Sequence, residues 1–282
     1  MAVPRDRGFV QVDVFGTGTC LGNALAVVLD GDGLAEQDMA RLARWTNLSE
    51  TAFLLPPTTS EADYRVRIFT RAGELPFAGH PTLGAAHAWL ANGGAPREAG
   101  RLTQECGVGL VEVRQDGGTL AFAAPPTLRD GPLDEPYLAD LAAAFGLARD
   151  QIVAHQWVDN GPGWAVVRLS SAEEVLGIEP DLSRIPKAKI GVLGAYPPGG
   201  EHAFEIRAFA PAMGVPEDPV TGSLNAAVAQ WLIRGGQAPS SFRVSQGVRL
   251  GRAGSVCVDA EPDGTVWVGG MCATLIQGSV TL

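Results

Sequence analysis

Short, largely apolar stretches recur along the chain, each bounded by Gly, Pro or Asp. Four of these stretches are rich in Val, Ile, Phe and Tyr and predict β-strands: Gln11–Phe15, Ala24–Leu29, Thr51–Leu55 and Tyr64–Thr70. Two later stretches, Leu110–Pro125 and Ser255–Gly270, contain an Asp-Gly pair at their centre and predict β-hairpins. The pattern therefore predicts a sheet-rich chain.

Other stretches have apolar residues at helical spacing. Glu36–Asn47 has one apolar face and predicts a short amphipathic helix. Pro81–Gly94 and Gly222–Gly236 are small and apolar nearly all round and end in Gly-Gly, which predicts two buried helices with glycine stops. Because such a helix has no polar face for solvent, a sheet must wrap around it.

The two halves of the chain repeat each other in order. GNALAVVL (Gly22–Leu29) matches GPGWAVVR (Gly161–Arg168), and RIFTRAGELP (Arg67–Pro76) matches RAFAPAMGVP (Arg207–Pro216). The sequence therefore predicts an α+β fold of two pseudo-equivalent domains, each a mostly antiparallel sheet around a central apolar helix. We place the first domain at 1–124, completed by a C-terminal strand near 272–282, and the second at 125–271.

Composition narrows the class of protein further. The 282 residues are 46% hydrophobic and carry a net charge of −10, which is the wrong sign for binding nucleic acid. No stretch resembles an export signal or a membrane span, so we expect a cytoplasmic protein with no membrane partner. Four isolated cysteines fit reduced thiols in apolar strands rather than a disulfide or zinc framework.

The starts of the two buried helices are the first candidate site. Each begins in a polar, glycine-containing turn, and helix N-termini present free N–H groups that favour a carboxylate. Gly79 and Gly222 would allow a ligand to approach the backbone closely. The alternative is purely structural, with Thr82 and Ser223 as ordinary N-caps.

Three side chains near these turns can carry proton chemistry. His80 lies at the start of the first buried helix, and Asp218 lies just before the second. Glu50 comes directly before an apolar strand, where partial burial would raise its pKa towards that of a working general base. The structural alternatives are a loop cap for Glu50 and an Asx-type turn for Asp218.

The chain has no motif for a cofactor or a metal. The glycines at Gly16–Gly22 have the wrong spacing for a dinucleotide fingerprint, and a strand follows where a helix is required. There is no nucleophile elbow, HExxH sequence or P-loop either. We therefore expect no cofactor and no bound metal.

The combination of NLSETAFLL, AGHPTLGAA, EDPVTGS and SQGVRLGR resembles the family of the phenazine-biosynthesis isomerase PhzF, which is related to diaminopimelate epimerase. The likeness covers almost the whole chain and implies a diaminopimelate epimerase-like fold. It implies that Glu50 is the proton-shuttling carboxylate and that His80 and Asp218 are also catalytic. Ser49, Gly79, Gly222 and Ser223 would then bind the substrate.

The resemblance also sets the expected reaction. Epimerases of this superfamily use two cysteines, but Ala78 and Pro219 stand at about those positions, which excludes a two-cysteine racemase. We expect a cofactor-independent isomerase that moves a proton on a small unsaturated carboxylic acid, binds it in the interdomain cleft and forms a homodimer. The alternative is a non-catalytic small-acid binding protein that has kept the cleft.

Four residues depart from the family pattern. They are Ala24, Arg71, Leu224 and Asn225, which we expect to line or adjoin the pocket. The substrate can therefore differ from the phenazine precursor.

Overall fold

The computed structural model describes residues 4–282 and is rich in strands, with few helices. In this described part the α-helices are α1 (Glu36–Thr46), α2 (Gly79–Ala91), α3 (Glu135–Phe145), α4 (Ala172–Gly177) and α5 (Gly222–Arg234). The strands are β1 (Asp6–Val14), β2 (Asn23–Val28), β3 (Glu50–Leu55), β4 (Tyr64–Thr70), β5 (Glu74–Leu75), β6 (Arg101–Cys106), β7 (Gly109–Asp116), β8 (Thr119–Ala123), β9 (Ala154–Trp157), β10 (Ala165–Arg168), β11 (Ile190–Ala195), β12 (Phe204–Ala210), β13 (Val215–Asp218), β14 (Ser241–Gln246), β15 (Gly254–Ala260) and β16 (Val266–Thr281). The fold is thus of the mixed, sheet-rich class.

The chain divides into two compact units. The first comprises the chain up to Ala123 together with Gly269–Leu282, and the second is Ala124–Val268. The last strand, β16, begins in the second unit and ends in the first.

The first unit is built around α2. Its strands follow the order β1-β2-β3-β4-β6-β7-β8, and β16 adjoins both β8 and β1, so that the strands close into a ring. The pairings of β2 with β3 and of β4 with β6 are parallel, whereas β1 pairs antiparallel with both β2 and β16. Helix α2 contacts β1, β2, β3, β4, β6 and β8. Gly84 allows this close packing, because a Cβ there would lie 2.5 Å from Leu25 Cδ2.

In the second unit the strand order is β9-β10-β11-β12-β14-β15, with β13 paired to β12. Helices α3 and α4 cover an apolar cluster that includes Leu138, Leu141, Val175, Val192 and Phe209. Helix α5 buries most of its side chains, including Leu224, Val228 and Leu232. It has no wide polar face, as its sequence predicts.

One expectation about the cysteines is wrong. Cys20 is exposed and lies in a turn with φ 62°, not in an apolar strand. Cys106, Cys257 and Cys272 are half-buried in strands, and none of the four cysteines forms a disulfide. Across residues 4–282, no helix has the length and apolar character needed to cross a membrane.

Candidate active site

At the start of α2, a buried carboxylate lies beside an imidazole. We call the three residues at this helix start the first mouth: Glu50, Gly79 and His80. Glu50 is the first residue of β3, opposite Thr70 of β4, and its side chain is 13% exposed. His80, in the first turn of α2, holds its Nε2 atom 3.6 Å from Glu50 Oε2. The two groups are therefore close enough to share a proton through a small movement.

Burial controls the charge of Glu50. It raises the pKa of the carboxyl from 4.5 to about 7, and the neighbouring Ser49 hydroxyl opposes part of this rise. A carboxyl with a pKa near neutrality can both accept and return a proton under physiological conditions. Glu50 thus has the acidity that a proton shuttle needs.

Asn23, which the sequence did not single out as a site residue, orients the imidazole. Its side-chain Nδ2 lies 3.4 Å from His80 Nδ1. An amide nitrogen donates, so Nδ1 accepts and Nε2 carries the proton that faces Glu50. The turn before Asn23 is held by Asp13, whose carboxylate accepts hydrogen bonds from the N–H groups of Leu21 and Gly22.

The start of α5 forms the second mouth: Asp218, Thr221, Gly222 and Ser223. The Thr221 hydroxyl donates a hydrogen bond of 2.5 Å to Asp218 Oδ2. The N–H groups of Gly222 and Ser223 have no acceptor within the described chain, as is normal for the first turn of a helix. In the first mouth the Gly79 N–H is likewise without an acceptor among residues 4–282.

Gln246, at the end of β14, organises the second mouth. Its fully buried amide oxygen accepts hydrogen bonds from Thr221 N (3.0 Å) and Asn225 Nδ2 (2.8 Å). Its amide nitrogen donates to the Asp218 carbonyl and to Thr221 Oγ1, both at 3.0 Å. One side chain therefore connects the loop before α5 to the first turn of the helix.

A buried ion pair supports the same loop from behind. Arg207 of β12 is 3% exposed and donates two hydrogen bonds of 2.9 Å to Glu217, the neighbour of Asp218. Its remaining nitrogen, Nη1, donates to the Val175 and Ile178 carbonyls at the end of α4. This bidentate geometry fixes the direction of β13 and hence of Asp218.

The expectation that Thr82 and Ser223 are N-caps is wrong. The N-caps are Ala78 and Thr221, and neither makes a side-chain cap hydrogen bond. Thr82 lies inside α2, where its hydroxyl accepts from Gln104, and the Ser223 hydroxyl accepts from Trp164. Ser223 and Thr82 are therefore not ordinary caps.

The expected pocket residues divide into two groups. Arg71 is exposed and donates to Asn47 Oδ1 (3.1 Å) in the loop before Glu50, and Ala24 is half-buried on β2. The side chains of Leu224 and Asn225 are buried within the second unit, in the first turn of α5. Leu224 packs against Gly191 of β11, and Asn225 is hydrogen-bonded to Gln246.

The remaining histidines make structural contacts. His87 lies 3.1 Å from Thr274 Oγ1, His155 accepts from the Leu133 N–H, and His202 lies 3.0 Å from Ser255 Oγ. Within residues 4–282, no three His, Cys, Asp or Glu side chains are grouped so that they could hold a metal ion.

Comparison with known proteins identifies the family. The profile of the PhzC-PhzF family, described as phenazine biosynthesis-like protein, matches residues 12–278. The chain belongs to this family. Its assignment as a PhzF-like isomerase is confirmed at that level, because several curated relatives carry isomerase names.

Two relatives span nearly the full length of this family member. Antisense-enhancing sequence 1 of Schizosaccharomyces pombe is 37% identical, over 97% of this chain and 98% of its own. The trans-2,3-dihydro-3-hydroxyanthranilate isomerase of Pseudomonas aeruginosa is 35% identical, over 97% of this chain and 99% of its own.

Solved structures agree on the fold. A PhzF-family protein of Bacillus anthracis superimposes with a TM-score of 0.83 at 23% identity, covering 99% of this chain and 100% of its own. A hydroxyproline epimerase of Agrobacterium vitis matches with a TM-score of 0.62 at 14% identity, covering 99% of this chain and 93% of its own. The sheet-rich fold of this PhzF-family chain is therefore shared with epimerases.

Proposed function

We propose that this chain is a cofactor-independent isomerase that moves a proton on a small unsaturated carboxylic acid. The observation that carries the proposal is the buried Glu50 carboxyl, with a pKa of about 7 and the His80 imidazole 3.6 Å away. A protein that only bound acids would gain nothing from burying a negative charge of its own beside the ligand, because like charges repel.

The two mouths bind the acid in this proposal. The free N–H groups of Gly79, Gly222 and Ser223 offer hydrogen bonds and a partial positive charge to the carboxylate of the substrate. Asp218, held by Thr221, accepts a hydrogen bond from a hydroxyl or amino group of the substrate. Binding through groups remote from the reacting carbon holds that carbon against Glu50.

Glu50 then moves the proton in two steps. The ionised carboxylate accepts a proton from a carbon of the substrate; the C–H bond breaks, and its electron pair passes into the conjugated system. The new carboxylic acid returns the proton to a different carbon, so the electron pair shifts along the chain of double bonds and Glu50 is ionised again. His80 directs its Nε2 proton towards Glu50 and holds the carboxylate in place.

The test uses the substrate named for the Pseudomonas relatives, trans-2,3-dihydro-3-hydroxyanthranilate, as the first compound assayed. Glu50→Gln keeps the size of the side chain but cannot accept a proton, so kcat should fall about 100-fold or more while the acid still binds. Glu61→Gln, at an exposed position, is the matched control and should retain full activity. In D₂O the product should carry deuterium at the carbon that receives the proton.

Two outcomes contradict the proposal. Near-normal kcat in Glu50→Gln would remove Glu50 from the reaction, and loss of acid binding in the same variant would make it a binding residue instead.

We propose further that the chain works as a cytoplasmic homodimer with one complete site per chain, as its resemblance to the family implies. Light scattering at micromolar concentration should then give twice the chain mass. Mixed dimers of wild-type and Glu50→Gln chains should retain about half of the activity.

A further inference from the structure

Trp164 contacts Ser223, a residue of the second mouth whose hydroxyl is not used as a donor within the described chain. Its indole is 3% exposed, and its Nε1 atom donates a hydrogen bond of 3.0 Å to Ser223 Oγ. Asn160, on the same loop, donates from Nδ2 to the Ser223 carbonyl at 2.9 Å. Ser223 is thus held at both its side chain and its backbone by residues more than fifty positions earlier in the chain.

The loop that carries Trp164 is ordered by its own residues. The Asp159 carboxylate accepts hydrogen bonds from Gly161 N (2.8 Å) and Gly163 N (2.6 Å). Both glycines have positive φ, 136° and 92°, which other residues rarely adopt. At the end of the loop, the Trp164 carbonyl accepts from the Val158 N–H at 3.0 Å. The indole therefore meets Ser223 with little freedom.

This contact decides how the Ser223 hydroxyl is used. An indole N–H can only donate, so Ser223 Oγ must accept, and its single proton has to point away from the indole. Within residues 4–282 that proton has no acceptor, and the Ser223 N–H has none either. Ser223 therefore offers an O–H and an N–H donor, and a carboxylate, with its negative charge and two acceptor oxygens, accepts such donors more strongly than an amide does.

We propose that Trp164 is a positioning residue that turns the Ser223 hydroxyl proton away from the indole, where a bound acid accepts it, and so favours a carboxylate over its neutral amide. The inference rests on the proposed function to the extent that it needs an acid bound at the start of α5. Trp164 itself does not touch the substrate.

The experiment measures binding of two probes, anthranilate and anthranilamide, by titration calorimetry. They share a ring and an amino group and differ in carboxylate against amide. The wild-type protein should prefer anthranilate. Trp164→Phe removes the N–H together with the pyrrole part of the indole and frees the hydroxyl to rotate, so anthranilate should bind about tenfold more weakly and the acid/amide ratio should fall by a similar factor. Ser223→Ala should have the same effect, and the double variant should be no worse than Ser223→Ala alone.

The controls separate positioning from folding. Trp89→Phe makes the same change at a half-buried tryptophan of the first unit and should leave both affinities unchanged. Independently of any ligand, the Trp164 indole N–H signal in ¹⁵N NMR should shift and exchange faster with solvent in Ser223→Ala, which leaves the tryptophan intact.

Each other result overturns the inference. Additive losses in the double variant, an unchanged acid/amide ratio in Trp164→Phe, an unmoved indole signal in Ser223→Ala, or no anthranilate binding by the wild-type protein would each do so. The proposed isomerase activity fails on a different result, full turnover by Glu50→Gln, which leaves the binding cycle intact.

Discussion

The buried carboxyl of Glu50 should make the protein less stable as the pH rises, and Glu50→Gln isolates this effect without any substrate. Raising the pKa from 4.5 to about 7 disfavours the ionised form by about 3 kcal/mol, because each tenfold change in proton affinity is worth about 1.4 kcal/mol. The side chain is only 13% exposed, so solvent screens little of this cost.

The sign follows from proton binding. Below pH 4.5 Glu50 is protonated in both the folded and the unfolded chain, and burial carries no charge penalty. Between pH 4.5 and about 7 the unfolded chain loses the proton while the folded chain keeps it, so the folded state binds more protons and its stability falls with rising pH. Above about pH 7 the penalty is constant. Glutamine does not titrate and escapes it.

The assay is urea unfolding followed by circular dichroism at several values between pH 4 and pH 8. The stability of Glu50→Gln relative to wild type should increase by about 3 kcal/mol across this range, with most of the change between pH 4.5 and 7. Glu61→Gln, exposed, should give a constant difference. Repeating the comparison of wild type with Glu50→Gln in a His80→Asn background measures how much of the pH-dependent stability difference depends on the imidazole. A difference between Glu50→Gln and wild type that does not vary with pH would refute the reasoning.

Three further predictions follow from the site. The kcat/KM of the wild-type enzyme should rise with pH and level off above about pH 7 as Glu50 ionises, and a profile flat from pH 5 to 8 would contradict a role as base. Gln246→Leu removes four hydrogen bonds and leaves their partners buried, so urea unfolding should register a loss of about 3–5 kcal/mol; Gln37→Leu, on the exposed face of α1, is the control and should change stability by less than about 0.5 kcal/mol. Activity should survive both prolonged dialysis against EDTA and alkylation of the exposed Cys20 thiol with iodoacetamide; inactivation that substrate prevents would point to a catalytic thiol or metal.

The elements defined by local pattern could be predicted from the sequence. The predicted amphipathic helix Glu36–Asn47 is α1 to within one residue, and the apolar Gly222–Gly236 segment with its glycine stop is α5. The Asp116-Gly117 turn joins β7 to β8 as its hairpin signal indicates. Periodicity and turn residues act over a few positions, and a single sequence displays them directly.

The side chains that arrange the site could not be predicted in this way. Asn23 meets His80 and Trp164 meets Ser223 only after distant strands have paired. Trp164 lies in an apolar run and Gln246 in a strand, so each resembles an ordinary structural residue. The internal repeat is the one sequence signal for these two residues. GNALAVVL contains Asn23 and the matching GPGWAVVR contains Trp164, and each of these residues contacts the start of a buried helix.

The route of β16 has a consequence for how the protein is made. The strand that completes the first unit, Gly269–Leu282, is synthesised after the whole of the second unit. Until then β1 lacks the partner that pairs with it from Asp6 to Val14, and the apolar helix α2 sits in an open ring. The second unit is continuous in sequence and can fold earlier. The first unit is therefore synthesised first but completes its folding last. A stop codon just before Gly269 would therefore damage the unit that contains Glu50.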